Sequence, residues 1–323
     1  MLFVLESTVK IAAYSFNTVT SVEITKSVDE LTDTAIITMP AQFKVRQNGT
    51  LMFTDEAIKV GDPVTITLGY ERYYNGVEFR GYVSKVNPKI PIEIHCEDAT
   101  WLLKRKNINK AWNQPVQLKE ILQEVVKDTS IKLAANVPEM KIDKFIIQNA
   151  NANQVLQTLK SDYGLSIYLN DNEELYVGLQ QLNNIHQEVA YDLNYNLVEN
   201  NLEYKTEESR KIKVRYTYID KENKKKTVEV GDPDGEIRTF HTSIISDEAK
   251  LKEMAKAELI RLKYEGFSGN VKSFLIPFAT RGMTAKIINK LKPKQEGKYF
   301  INKVVTTFSD QGARRQSYIT NKL

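Results

Sequence analysis

Few residues in this 323-residue chain have the types and spacing that chemistry requires. Its three histidines, His95, His186 and His241, stand far apart, and none has a second histidine at metal-ligand spacing. His95-Cys96-Glu97-Asp98 could suggest acid–base work. On a strand, however, His95 and Glu97 share one face and Asp98 opposes them, so a solvated or interface face is expected. Cys96 falls on the apolar side with Ile92 and Ile94 and reads as an inert core thiol. Asp232-Pro233-Asp234-Gly235 starts like a calcium loop, but position 241, where the bidentate glutamate belongs, is a histidine. A tight turn is expected there. Gly266-Phe267-Ser268-Gly269 is not a nucleophile elbow, because its second glycine comes one position early. No phosphate-cradling glycine loop followed by Lys-Ser or Lys-Thr is present. Residues 221–226 hold four lysines, and Lys290, Lys292 and Lys294 surround Pro293; both read as solvated loops. Trp101 and Trp112 flank Lys104-Arg105-Lys106, which could stack single-stranded bases, but packing at a domain junction is preferred. No residue is assigned a catalytic, cofactor-binding or metal role, and no cofactor is expected.

The elements that would position such residues are mostly strands. Val64, Ile66 and Leu68 alternate with Thr65 and Thr67, and Ile92, Ile94 and Cys96 alternate with polar residues. Residues 34–39 are a short β-branched run. Asn75-Gly76 between two such runs signals a hairpin turn. The first hundred or so residues therefore read as a small antiparallel barrel. Residues 116–128 place apolar side chains on one helical stripe behind Pro115. A second helix is expected over 153–163, capped by Asn151 or Asn153 and ended by Gly164. A hairpin follows over 165–169 and 174–177. Strands return from about 190, interrupted by one helix over 247–264 that Ser246 would cap.

Composition agrees with a folded, multi-domain chain. Hydrophobic residues make up 41% and charged residues 27%, ordinary globular values. The net charge of +4 is close to neutral for this length, which gives no sign of a dedicated nucleic-acid face. A single cysteine excludes an internal disulfide and a cysteine-cluster zinc site. No apolar run approaches the roughly 20 residues of a membrane helix. The apolar start lacks the basic leader of a signal peptide, so assembly in a cytoplasm and no membrane insertion are expected.

The two strand-rich ends echo each other. Gly61, Ile66, Gly76, Phe79 and Val83 recur at one common separation as Gly282, Ile287, Gly297, Phe300 and Val304. A duplicated barrel with a helical module between the copies would explain this, as would coincidence between two β segments.

In this order of elements the chain resembles phage tail baseplate hub proteins, the family of late control protein D and of the hub part of type VI secretion spikes. The resemblance is carried by residues 60–66 with Phe79-Arg80-Gly81-Tyr82-Val83. It continues in Phe145-Ile146-Ile147-Gln148-Asn149, residues 153–159 and Asp162-Tyr163-Gly164-Leu165, and ends in residues 257–266, 297–301 and 307–312. It implies an α+β, mainly β fold with two similar antiparallel, tube-like β-barrel domains. The first would span 1–112, a small α/β module 113–183, and the second barrel, with one inserted helix, 184–323. It also implies a non-enzymatic structural protein, a homotrimer whose six barrels meet a hexameric tail tube protein while its threefold end meets a trimeric spike. Because the sequence ends at Leu323 without a needle, that spike is expected to be a separate protein. A tape measure protein and DNA would pass through the lumen, and the protein would sit in the virion tail baseplate after assembly in the host bacterial cytoplasm. Two other readings stay open on the residues: a carbohydrate- or peptidoglycan-cleaving tail enzyme with paired carboxylates, and a single-strand nucleic-acid-binding barrel that uses Trp101, Trp112 and nearby lysines.

Overall fold

The computed structural model describes residues 4–45, 49–179, 187–219, 225–242 and 248–323. Seven strands of the N-terminal part enter the main sheet: β1 (Leu5–Ile11), β2 (Tyr14–Phe16), β3 (Ser21–Ser27), β4 (Thr34–Met39), β5 (Pro63–Tyr70), β6 (Tyr74–Asn87) and β7 (Ile92–Glu97). Six more come from the C-terminal part: β8 (Glu188–Asp192), β9 (Glu199–Lys205), β10 (Gly266–Ser273), β11 (Thr284–Ile288), β12 (Gly297–Ser309) and β13 (Gly312–Lys322). The alternation read from the sequence is the alternation of burial. In β7, Ile92, Ile94 and Cys96 face the core while Glu93, His95 and Glu97 do not.

The chain is mainly β, as expected, but no closed barrel is found among the described residues. All thirteen strands form one sheet, in the order β9-β10-β13-β12-β3-β4-β7-β6-β5-β1-β2, with β11 also on β12 and β8 on β11. The reason is the length of β12. Its first residues pair with β11, and Lys303–Ser309 run on past the end of β11 to pair antiparallel with β3. That pairing satisfies backbone groups on an edge that a separate barrel would have to close on itself.

The two halves nevertheless repeat one strand order. The first reads β1-β5-β6-β7-β4-β3, and the second reads β8-β11-β12-β13-β10-β9. The repeat extends to irregularities. β6 shifts register against β7 between Val83 and Lys85, and β12 shifts against β13 between Ile301 and Lys303. Gly61 and Gly282 open the matching hairpins with φ of 96° and 85°. Their N–H groups donate to Val83 and Ile301 at the same 2.8 Å. These pairings make Val83 equivalent to Ile301, not Val304, so the sequence echo is in register at Gly61 and Ile66 and three residues out beyond them. β1 lies antiparallel to β5, whereas β8 lies parallel to β11.

The hairpin read at Asn75-Gly76 exists, but its turn is at 71–73. Arg72 takes the left-handed conformation at φ 68°. Asn75 and Gly76 sit inside β6, opposite Gly69 and Leu68. Gly76 is there for space, since a Cβ would lie 2.4 Å from the Tyr74 hydroxyl.

Between the halves, helices α1 (Leu118–Val126) and α2 (Ala152–Tyr163) pack with short strands around Leu122, Leu156, Leu159, Ile167 and Val177. α1 starts later than expected because Val116 and Gln117 pair with Ile142 and Lys141. At the start of α2, Asn151 Oδ1 accepts from the Gln154 N–H while Gln154 Oε1 accepts from the Asn151 N–H, both at 2.9 Å. Gly164 ends it in the left-handed conformation.

The second half carries more than an inserted helix. Strands Ile212–Ile219, Lys225–Gly231 and Glu236–Thr242 form their own sheet, covered by α3 (Glu248–Leu262) through Leu251 and Ala255. The turn read at Gly231-Asp232-Pro233-Asp234-Gly235 joins two strands that flank Ile212–Ile219 without pairing to each other. Ser246 and Asp247, expected to start α3, lie outside the described residues. Among the described residues no helix is long and apolar enough to cross a membrane.

Candidate functional site

The densest polar chemistry of the described molecule is buried where its parts meet, around the segment 274–283 that links β10 to β11. Arg281 in that segment is 2% exposed at its side chain. It holds Asp33, in the β3–β4 turn, at 2.7 Å, and Asp171, in the module hairpin, at 2.9 Å. It also donates to the Leu169 carbonyl. One guanidinium thus ties the first half, the module and the second half together. Lys26 on β3 adds a contact to Asp171 at 2.8 Å.

A second clamp lies on the neighbouring strands. Arg315 on β13 grips Glu78 on β6 through two parallel bonds, Nη2 to Oε1 at 2.7 Å and Nη1 to Oε2 at 3.1 Å. Both side chains are 2% exposed. Glu78 Oε1 also accepts from the Tyr74 hydroxyl at 2.6 Å. Arg315 spends further N–H capacity on the Ala279 carbonyl at 3.0 Å. Beside it, the Tyr70 hydroxyl donates to the Ala313 carbonyl at 2.7 Å and accepts the Leu275 N–H at 3.3 Å. The bonds made by Arg315 and Glu78 are charge-assisted and desolvated, which fixes their geometry strongly.

The electrostatics follow from burial. Asp33, Asp98 and Asp171 set three carboxylates against Arg281 and Lys26. Burial raises the Asp33 carboxyl to about 7, opposed by Arg281 and reinforced by Asp98. Asp98 is raised for the same reason. Burial alone would also raise Asp171, but Lys26 and Arg281 hold it well below the usual carboxylate range.

Two buried acids with shifted ionisation can mark an active site, yet their lone pairs are engaged here. Asp98 Oδ1 accepts from the Thr100 N–H at 2.9 Å and hydroxyl at 2.6 Å, and Oδ2 accepts from the Asp33 N–H at 2.8 Å. Asp33 Oδ1 accepts from the Ser27 N–H at 3.1 Å. The adjoining cavity, lined by Asp33, Glu78, Asp98 and Arg281 among others, measures about 80 Å³. Sites for small organic molecules are on the order of 300–1,000 Å³. Among the described residues no three or more His, Cys, Asp or Glu side chains are grouped to hold a metal. The arrangement locks elements together.

The residues singled out from sequence are scattered. His95 lies on the outer face of β7, 3.7 Å from Glu93. Cys96 is 1% exposed, and burial pushes its thiol well up. Glu97 pairs with Lys104 at 2.7 Å. Only Asp98 of that run joins the buried cluster. Trp101 stacks on Tyr82 at 5.1 Å, with the Arg105 guanidinium 3.4 Å over its ring. Trp112 packs near Phe145. Those contacts use both tryptophans for packing, as expected. Asp232 is bound by Lys263 at 2.9 Å and by the Ile212 N–H at 3.0 Å, so the calcium-loop look-alike is a braced turn. Lys290 pairs with Asp192 at 3.0 Å. His186 and residues 221–224 lie outside the described residues.

Arg281, Arg315, Glu78, Asp33 and Asp171 were not singled out from the sequence. One signal was available for Arg315. In β13 the inward phase runs Ala313, Arg315, Ser317, Ile319, which puts an arginine on a core-facing position.

No known family profile and no characterised protein matches the sequence. Solved structures do match it, along nearly its whole length. The 43 kDa tail protein of prophage MuSo2 from Shewanella oneidensis matches with a TM-score of 0.67 at 15% identity, over 98% of each chain. A tail protein from Neisseria meningitidis matches with a TM-score of 0.63 at 13% identity, over 98% of this chain and 96% of that one. An Escherichia coli type VI secretion component, itself described as structurally similar to T4 tail proteins, matches with a TM-score of 0.59 at 12% identity, over 97% of this chain and 76% of that one. The fold of this chain is that of these phage tail proteins and of the type VI secretion component.

Proposed function

We propose that this chain is the structural, non-enzymatic hub of a phage tail or related contractile particle. It acts as a homotrimer whose two repeated halves present six near-equivalent surfaces to a hexameric tail tube protein, while its threefold end carries a trimeric spike protein. The tape measure protein and DNA pass through its lumen, and it is built into the tail baseplate in the host bacterial cytoplasm. The observation that carries this reading is the end-to-end likeness to the prophage MuSo2 tail protein and the Neisseria meningitidis tail protein. The repeated strand order supports it, because a doubled unit in a threefold object doubles the rotational order it presents. The buried clamps suit the same role, since a load-bearing junction needs its halves fixed to each other and to the module. The three segments 1–112, 113–183 and 184–323 are then the working units. Gold labelling of a tagged chain in purified tails tests the assignment. Label on the axis at the tail tip is expected, and label along the tube or absent from tails overturns it.

A further inference from the structure

The buried junction around Arg281 does not balance its charges. Three carboxylates meet there from three parts of the fold: Asp33 in the β3–β4 turn, Asp98 just past β7 and Asp171 in the module hairpin. Two cations answer them. Arg281 reaches Asp33 at 2.7 Å and Asp171 at 2.9 Å, and Lys26 reaches Asp171 at 2.8 Å. Asp98 is held by neutral donors, the N–H groups of Thr100 and Asp33 and the Thr100 hydroxyl.

The charged groups around this core cancel or stay neutral. Glu78 is taken by Arg315, and Glu97 by Lys104. Arg80 and Glu173, one of each sign, are exposed at the cavity wall. On the same turn as Asp33, Asp29 and Glu30 are exposed, and Lys160 of α2 donates to the Asp29 carbonyl. Burial pushes the Tyr168 hydroxyl, whose ring lies under Arg281, up to about 12, so it keeps its proton near neutrality. Three negative charges against two positive ones leave the desolvated junction one positive charge short.

That shortfall exists only while the module is in place. Leu169, Asn170 and Asp171 of the module hairpin wall the cavity that Asp33 and Asp98 line. Both acids are nearly out of water, at 5% and 6% exposure. Lifting the hairpin takes Asp171 off Arg281 and lets water reach Asp33 and Asp98, where ionised carboxyls are well solvated. Closing it desolvates them again, and a proton then supplies the missing charge. Burial, with Asp98 beside it and Arg281 against it, brings Asp33 to about 7, and burial raises Asp98 too. Lys26 and Arg281 outweigh burial at Asp171 and keep it ionised.

We propose that a proton latches the module to the two halves: the closed junction holds one proton on the Asp33–Asp98 pair, and lifting the module off Arg281 releases it to solvent. The closed state binds the proton more tightly, so the latch is tighter in mild acid. It loosens as pH rises to about 7, and above that both states have lost the proton and it loosens no further. This device belongs to the single chain and does not rest on the hub reading.

The test uses Val28→Cys, because Val28 is buried against Tyr168 of the module and Phe300 of β12 and is uncovered when the module lifts. Cys96, in the core of the first half, reports global unfolding in the same chain. Maleimide labelling rates, each divided by the rate of the same thiol in the urea-unfolded chain at that pH, give opening constants. The introduced thiol should open more readily than Cys96. Its opening constant should rise at least about tenfold from pH 5 to pH 7.5 and then level off. Asp33→Asn should flatten that rise, and so should Asp171→Asn, which frees Arg281 and Lys26 for the pair. Opening no faster than Cys96, an opening constant that is flat or falls over that range, or a rise that persists in both aspartate variants overturns the proposal. Carbon-13 NMR of labelled aspartates in the unaltered chain decides it without any substitution. One buried carboxyl titrating near neutrality is expected, and no aspartate titrating above pH 5 overturns it.

Discussion

Replacing Arg315 with methionine should be among the most damaging single changes in the chain. The side chain is 2% exposed and makes two bonds to Glu78. Without it, the Glu78 carboxylate keeps only the Tyr74 hydroxyl as a partner named in that pocket. Breaking a buried pair from one side costs about 3–5 kcal/mol, because a charge is left uncompensated. The Ala279 carbonyl also loses a donor, which costs about 1 kcal/mol. Adding Glu78→Gln to Arg315→Met removes the stranded charge and keeps an acceptor for Tyr74. The double variant should then recover most of the loss and lie within about 1–3 kcal/mol of the parent. Urea unfolding followed by circular dichroism measures all four proteins. A single variant that loses under about 1 kcal/mol, or a double variant whose loss equals the sum of the singles, would falsify the claim that this pair holds the halves together.

Four further outcomes follow from the geometry. Asp33 has a folded-state value of about 7, above that of the unfolded chain, so the folded state binds its proton more tightly. Its contribution is greatest below the unfolded value near 4 and is lost as pH rises to about 7, so thermal melts should fall between pH 5 and 7.5; a rise over that range refutes the sign. Asp171 acts oppositely, adding stability above about pH 4 that is lost on further acidification, seen as a steep loss of melting temperature in acid. Gly61→Ala and Gly282→Ala should each cost about 1–2 kcal/mol, because both sites have positive φ and an added Cβ would lie 3.1 Å from Trp101 or 3.3 Å from the Tyr168 hydroxyl. Unequal effects, one large and one absent, would show that the two glycines do not play equivalent parts. Cys96 should react with a thiol reagent only as fast as the protein unfolds; rapid labelling of the native protein would contradict its burial.

What was legible in the sequence was local. Period-two alternation marked β5 and β7, and a cap at Asn151 or Asn153 with the Gly164 stop bounded α2, because those signals depend on near neighbours. The pairing of β3 with β12 depends on residues from opposite ends of the chain, and neither strand carries a mark of its partner. The turn near Asn75-Gly76 was misplaced because Gly76 answers to the Tyr74 ring inside the strand, a contact that spacing does not reveal. Asp98 was read as one member of a polar run. Its burial comes from Asp33 and Thr100, which fold against it from elsewhere. Arg281 looks like an ordinary loop arginine until the module hairpin delivers Asp171 to it.

The same non-local pairings bear the functional account. A sheet that passes from one half into the other, with Arg315 and Arg281 bridging them, joins the halves into one doubled unit. Such a unit suits a place where sixfold and threefold parts of a particle meet. Electron microscopy of assembled tails measures this most directly. The account predicts three copies of this chain in a ring on the tail axis, with six similar sheet surfaces facing the tube. A single copy on the axis, or a ring of six chains, would contradict it.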